Sequence, residues 1–182
     1  MLKWFVKRQL AKFGERWGYD TGYMQEIVDE AGVAAVVPMQ RLQKLGGYRK
    51  TPLDAYYGAA LTAGKAADCG PCLQLGVKMA EAEGVKPEMI RAILERDYAK
   101  CNKETLLGVE LALGTIARDG TGEEARAEIL RRWGRAGLVS LAYAIVAAQS
   151  YPAFKYAIGH GHACVRVKVG GETVAMQSPQ YA

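Results

Sequence analysis

The residues with the clearest chemical potential are Cys69 and Cys72, which flank a glycine and a proline in the sequence CGPC. The first turn of a helix brings the Cα atoms of residues i and i+3 within the range of about 4.4 to 6.8 Å that a disulfide requires. The other two cysteines of the chain, Cys101 and Cys164, lie far from this pair in sequence. The first hypothesis is therefore a redox function in which one disulfide opens and closes.

A reactive cysteine must be a thiolate, so its pKa has to fall below the free value of about 8.5. Pro71 is typical of the first turn of a helix, and the apolar spacing after it predicts a helix over residues 70–83. The free backbone N–H groups at the start of that helix, together with its positive dipole end, would stabilise a thiolate. Lys65, four residues before Cys69, is a candidate auxiliary cation, although a solvated surface lysine is the simpler interpretation.

The elements that must position this motif are mainly helices. Helical spacing of apolar residues predicts segments at 2–17, 21–30, 38–45, 53–67, 70–83, 89–95, 102–118, 123–133 and 138–150. Thr121 and Glu124 fit a capping box, and the apolar segment 138–150 is expected to be the buried core helix. Alternating valines before Gly170 and Gly171 predict one β-hairpin over 164–176. The predicted fold class is all-α with a short C-terminal hairpin, in a single domain over residues 1–182.

Composition narrows the classes of function. The chain has 182 residues, half of them hydrophobic, which is enough for one compact core. The net charge of +5 is modest and basic residues are interleaved with acidic ones, so nucleic-acid binding is not expected. The start of the chain does not resemble a secretory signal, and the apolar run 136–148 is shorter than the roughly 20 residues that cross a bilayer. A cytoplasmic location is expected, where a CxxC pair is more often catalytic or metal-binding than structural.

The first twenty residues are an exception to this charge mixing. Basic and aromatic side chains alternate there, and they are Lys3, Lys7, Arg8, Lys12 and Arg16 with Trp4, Phe5, Phe13 and Trp17. An amphipathic helix of this kind can lie on a membrane surface. The favoured interpretation is that its aromatic side packs on the domain or on a neighbouring subunit.

The motif CGPC is also found in thioredoxins, where it follows a β-strand in a βαβ unit. Here it follows residues 56–65, which are rich in alanine and have helical spacing. No regular alternation of strands and helices surrounds it. A thioredoxin fold is therefore not expected.

Two stretches, ADCGPCLQLG at 67–76 and LAYAIVAAQSYP at 141–152, resemble the alkylhydroperoxidase D-like branch of the carboxymuconolactone decarboxylase-like superfamily. The resemblance covers roughly residues 50–160. It implies an all-α fold, a homotrimer or a multiple of it, and reduction of a peroxide by a dithiol that a thiol electron donor restores. It also implies that Cys72 is the nucleophile and Cys69 the resolving partner. No cofactor or metal is expected.

The chain differs from the pattern of that family at two positions. The family places a glutamate twelve residues before the first cysteine and a histidine four residues after the second, as a proton relay. This chain has Tyr57 and Gly76 there. Tyr57 can form a hydrogen bond and is a candidate auxiliary residue, but a side chain with a pKa of about 10 is a poor base. Thiol–disulfide exchange needs only a thiolate and an accessible partner disulfide.

Alternatives remain open. A zinc site in which His160, His162 and Cys164 add ligands to the CxxC pair is less favoured because no second CxxC accompanies it, and both histidines are expected in the loop before the hairpin. An inert pair of cysteines is a further alternative. One of them could still approach the thiols. A decarboxylase role is disfavoured because the decarboxylases of the superfamily do not depend on a CxxC pair. The second hypothesis is a non-catalytic helical oligomeric scaffold, or a protein that associates with a membrane surface through its N-terminal helix.

Overall fold

A computed structural model of the chain describes residues 1–162 and 166–175. This part contains eight α-helices and one two-stranded antiparallel sheet, which confirms the predicted fold class of helices with a C-terminal hairpin. The helices are α1 (Leu2–Trp17), α2 (Gly22–Glu30), α3 (Val37–Leu45), α4 (Leu53–Ala66), α5 (Gly70–Ala82), α6 (Pro87–Glu95), α7 (Lys103–Ala117) and α8 (Glu123–Ala157). The strands are β1 (Arg166–Val169) and β2 (Glu172–Ala175).

The chain divides into two compact units, Met1–Gly47 and Tyr48–Ala182, where the sequence predicts a single domain. The first unit holds α1, α2 and α3. Its α1 ends as predicted, because Gly18 takes the left-handed conformation that closes a helix. The side chains of Leu10, Met24 and Val28 are buried in it.

The second unit is built around α4, which packs against α5, α6, α7 and α8. The contact between α4 and α7 is made by backbone, since a Cβ atom added at Gly108 would lie 2.1 Å from the carbonyl oxygen of Ala55. A Cβ atom added at Gly58 would lie 2.4 Å from the carbonyl oxygen of Thr105. Large aliphatic side chains fill the core around these helices, among them Leu61, Ile90, Ile129, Leu141 and Ile145.

The helix α8 joins two segments that the sequence predicts separately. Gly134 interrupts it with non-helical backbone angles (φ 63°, ψ −169°), and residues on both sides are helical. The predicted capping box is wrong, because Gly122 takes the N-cap position and Thr121 instead donates to Asp119. The segment 138–150, predicted to be the buried core helix, is buried only in part, since Leu141 and Ala144 are buried whereas Val146 is exposed.

By length and composition alone, α8 qualifies as a helix that could cross a membrane. The sequence run 136–148 is too short for that purpose, but the helix continues beyond it. A third of the apolar window is buried against the rest of the structure. Core helices of soluble proteins meet the same criterion, so the finding is weak evidence for a membrane span.

The hairpin is fastened to α5 and α6 by polar side chains. Arg91 of α6 donates to the carbonyl oxygen of Val169 (3.2 Å) and forms an ion pair with Glu172 (2.9 Å). The backbone N–H of Gly170 donates to the carboxylate of Glu81 (2.6 Å). Val167 and Val169 are buried, as the predicted alternation requires. The predicted hairpin ends, residues 164, 165 and 176, lie outside the described residues.

Candidate functional site

A disulfide joins Cys69 and Cys72, whose Cα atoms are 5.3 Å apart. Cys69 is the N-cap of α5 and has extended backbone angles, and Cys72 is the third residue of the helix. Pro71 lies in the first turn, as its preference for that position predicts. The motif therefore opens a helix, and its spacing is used to close a bond across the first turn.

The two sulfur-bearing residues differ in exposure. Cys69 has an exposed fraction of 0 %, whereas Cys72 is partly exposed to solvent. A molecule approaching from solvent therefore meets Cys72 first. The sequence resemblance implies Cys72 as the nucleophile and Cys69 as the resolving partner, and this assignment remains a prediction.

The chain turns sharply before the motif. Asp68 has a positive φ of 48°, a conformation that only a few residues other than glycine adopt. The phenol of Tyr156, near the end of α8, donates to the carbonyl oxygen of Asp68 (2.8 Å). The C-terminal part of α8 thus holds the turn that presents Cys69 to the helix start.

A second long-range contact reaches the helix start itself. The backbone N–H of Gly70 donates to the carbonyl oxygen of His162 (3.1 Å). Pro71 has no N–H, and the N–H of Leu73 donates to the carbonyl oxygen of Cys69 (2.9 Å). Fewer first-turn amides are therefore left for a thiolate than the sequence predicts.

The helix that carries the cysteines runs antiparallel to α4. Two glycines show the pairing, because a Cβ atom at Gly64 would lie 3.6 Å from Leu73 and one at Gly76 would lie 3.4 Å from Leu61. Gly76 is thus turned toward a buried leucine of α4. This position, where the family pattern has a histidine, supplies no proton donor or acceptor from a side chain.

Tyr57 lies near the C-terminal end of α5, away from the end that carries the cysteines. It is on α4 one turn before Leu61, and the guanidinium of Arg49 lies 5.5 Å from the centre of its ring. Arg49 in turn pairs with Glu83, the residue that ends α5. Eleven residues of helix, about 16 Å, separate Glu83 from Cys72. The structure therefore does not bring Tyr57 to the cysteines, and burial raises the pKa of its phenol above the ordinary value.

Lys65 is half-buried and is not the solvated surface lysine that the sequence indicates. Its ammonium donates to the carbonyl oxygen of Leu94, in the last turn of α6. A cation at this position stabilises the carbonyl end of a helix. The described contact places the charge of Lys65 at the carbonyl end of α6.

Of the two histidines, His162 is the one whose contact with the motif is described. Its backbone contacts Gly70, and its side chain is exposed. Cys164, another candidate ligand of the alternative zinc site, lies outside the described residues, and among those described no group of three potential ligands could hold a metal ion. Cys101 is a free thiol, and burial raises its pKa.

One contact of α5, just after the motif, has no signal in the sequence. The side-chain amide of Gln74 donates to the carbonyl oxygen of Lys168 (2.9 Å), and its oxygen accepts from the N–H of the same residue (2.7 Å). Gln74 therefore pairs with β1 as a neighbouring strand would. Together with Tyr156 and His162, it links the first turns of α5 to the C-terminal part of the chain.

Three comparisons of the chain with known proteins gave no match. The chain matches no protein-family model, and no curated protein or solved structure is significantly similar to it.

Proposed function

We propose that this protein is a dithiol–disulfide oxidoreductase that cycles Cys69 and Cys72, with Cys72 as the sulfur that meets the substrate. The observation that supports the proposal most directly is the pairing of a fully buried cysteine with a partly exposed cysteine at a helix start. A structural disulfide has no need of an exposed sulfur, whereas exchange requires access to one of the two.

In the proposed reaction the thiolate of Cys72 attacks one sulfur of a partner disulfide. A mixed disulfide forms and the other partner sulfur leaves as a thiolate. The thiolate of Cys69 then attacks Cys72, which closes the intramolecular disulfide and releases the second partner sulfur. The partner gains two electrons and two protons, and an external dithiol returns the protein to its reduced state.

A peroxide can take the place of the partner disulfide. The thiolate of Cys72 would attack one peroxide oxygen, the O–O bond would break, and an alcohol would leave once it is protonated. The resulting sulfenic acid would condense with the thiol of Cys69 to give the disulfide and water. Since Gly76 has no side chain and Tyr57 lies at the far end of α5, neither supplies the proton, so the geometry supports disulfide exchange better.

The decisive test uses the reduced protein and a small disulfide, dithiobisnitrobenzoate. The variant Cys72→Ser should react about 100-fold more slowly, because only the buried sulfur of Cys69 remains in the motif. The variant Cys69→Ser should react at a near-normal rate in the first step and then stop, with thionitrobenzoate held on Cys72 as a mixed disulfide. Stopped-flow absorbance gives the rates, and mass spectrometry locates the adduct.

The matched control is Cys101→Ser, which removes a thiol outside the motif. Its exchange rate should equal that of the wild type, because the raised pKa of Cys101 makes it a poor nucleophile. An unchanged rate in Cys72→Ser would contradict the proposal. The same holds if the adduct in Cys69→Ser is found on a cysteine other than Cys72.

A further inference from the structure

The first turns of α1 carry large apolar side chains that face solvent. Leu2, Trp4 and Phe5 are exposed by 65 %, 64 % and 54 %, and we call them the N-terminal apolar patch. Most large apolar side chains of a folded chain are buried, and a contiguous group of exposed ones marks a surface that binds something. The redox proposal makes no use of this patch.

The charge around the patch has one sign. Residues 1–14 contain four basic side chains, Lys3, Lys7, Arg8 and Lys12, and no acidic one. The guanidinium of Arg8 lies 5.4 Å from the centre of the Trp4 ring, so a cation is held directly beside the patch. The occupant of this surface must therefore accept both aromatic rings and positive charge.

The opposite face of α1 is already occupied within the first unit. The ammonium of Lys7 pairs with the carboxylate of Asp29 (2.8 Å), and Lys3 donates to the carbonyl oxygen of the same residue (3.2 Å). Leu10, on the same face by helical spacing, is buried.

Helical spacing then determines which basic residues point away from Asp29. With 3.6 residues in each turn, Phe5, Arg8 and Lys12 lie on the side of α1 opposite Lys3 and Lys7. Arg8 and Lys12 are both exposed. Phe5 and two of the four cations thus share one outward surface, and the Trp4 ring borders it beside Arg8.

We propose that this outward surface of α1 docks on a lipid bilayer that contains anionic headgroups. The aromatic rings would enter the interfacial region, where Trp and Phe side chains are favoured, and Arg8 and Lys12 would contact lipid phosphates. Basic residues near such a surface each contribute to binding through its negative potential. A second copy of this chain is the poorer occupant, because the same patch on a partner would bring like charges together.

The test is co-sedimentation of the full chain with vesicles of phosphatidylcholine alone or of equimolar phosphatidylcholine and phosphatidylglycerol. Binding is expected only to the anionic vesicles, and it should weaken as salt is added. The double variant W4A/F5A should bind about tenfold more weakly because it loses the inserted rings. The variant R8E/K12E should lose at least as much.

A charge-matched control is R118E/R135E, in which two exposed arginines of the second unit are reversed. It has the same net charge as R8E/K12E and should bind like the wild type. If both charge variants lose binding equally, or if W4A/F5A binds normally, attraction by overall charge explains the result and the proposal fails.

A direct reporter is available in Trp4. In the variant W17F/W133F it is the sole tryptophan, and its fluorescence should shift to shorter wavelength when anionic vesicles are added. An unshifted spectrum would overturn the proposal. So would light scattering that shows oligomers of the free chain which W4A/F5A dissociates, because the patch would then be an interface between copies.

Discussion

Two of the helices that pack on α4 contact it in opposite ways. Against α7 it packs backbone on backbone, with Gly58 and Gly108 at the crossing and no room for a Cβ atom at either. Against α5, which carries the disulfide, it packs through side chains, and Gly64 faces Leu73 at ordinary contact distance. One partner of α4 is fixed by its backbone, and the other is fixed by side chains and by polar links from the end of the chain.

The two contacts distinguish a rigid scaffold, the pair of α4 and α7, from the helix α5 that carries the candidate site. Cores transmit strain because they are close-packed, so a backbone crossing such as that of α4 and α7 tolerates little movement. The start of α5 packs on α4 through the side chain of Leu73. Hydrogen bonds that involve Tyr156, His162 and Gln74 add to this contact, and each contributes about 1 kcal/mol. We therefore expect the start of α5 to adjust more readily than the pair of α4 and α7 when the disulfide opens.

The largest effect is expected from Gly108→Ala. The added methyl group would overlap the carbonyl oxygen of Ala55 and the backbone nitrogen of Ala59, which lie 2.1 and 2.8 Å from its position. Backbone atoms cannot move aside as a flexible side chain can, so the free energy of unfolding should fall by about 3 kcal/mol or more. Urea denaturation followed by circular dichroism measures the change. A loss below about 1 kcal/mol would show that the two helices can separate, and α7 would then be held on α4 no more rigidly than α5 is.

A smaller effect is expected from Gln74→Ala, which removes both hydrogen bonds to Lys168. These bonds are exposed, so the loss should be about 1 to 2 kcal/mol, and it should be local to the hairpin. Hydrogen exchange of the Lys168 amide should accelerate, while amides in α7 keep their protection. The variant Gln74→Glu retains the acceptor for that amide but loses the donor, so its effect should be intermediate.

An equal loss of protection in α7 would contradict this prediction. The hairpin would then be part of the same cooperative unit as α4 and α7, and the attachment of α5 would be as rigid as the scaffold.

The sequence predicts those features that depend on neighbouring residues. Gly18 ends α1, and the side chain of Asn102 accepts the N–H of Thr105 (2.8 Å) at the start of α7. The helix of the CxxC motif begins at Gly70 as its proline indicates. Each of these signals is a preference of one residue type for one local backbone conformation.

The contacts that hold the cysteine motif in place join residues that are far apart in the sequence. The oxygen that binds Gly70 is the backbone carbonyl of residue 162, and a carbonyl is the same whichever side chain its residue carries. Tyr57 takes the sequence position of a glutamate in the pattern of the family that the chain resembles. The residues around it are determined by the antiparallel packing of α4 on α5, which the sequence position does not reveal. The capping box failed for a related reason, because Asp119 competes for Thr121.

The smallest effect, and the one of opposite sign, is expected from Gly64→Ala. A Cβ atom there would lie 3.6 Å from the Cδ1 atom of Leu73, which is an ordinary van der Waals contact. Alanine also restricts the unfolded chain more than glycine does, so in the interior of α4 it should stabilise the protein by about 0.5 to 1 kcal/mol. The measurement is the same denaturation experiment as for Gly108→Ala. If Gly64→Ala instead destabilised the protein by more than about 1 kcal/mol, the contact of α4 with α5 would be as tight as its contact with α7. The disulfide would then lie on a part of the protein that is as rigid as the pair of α4 and α7.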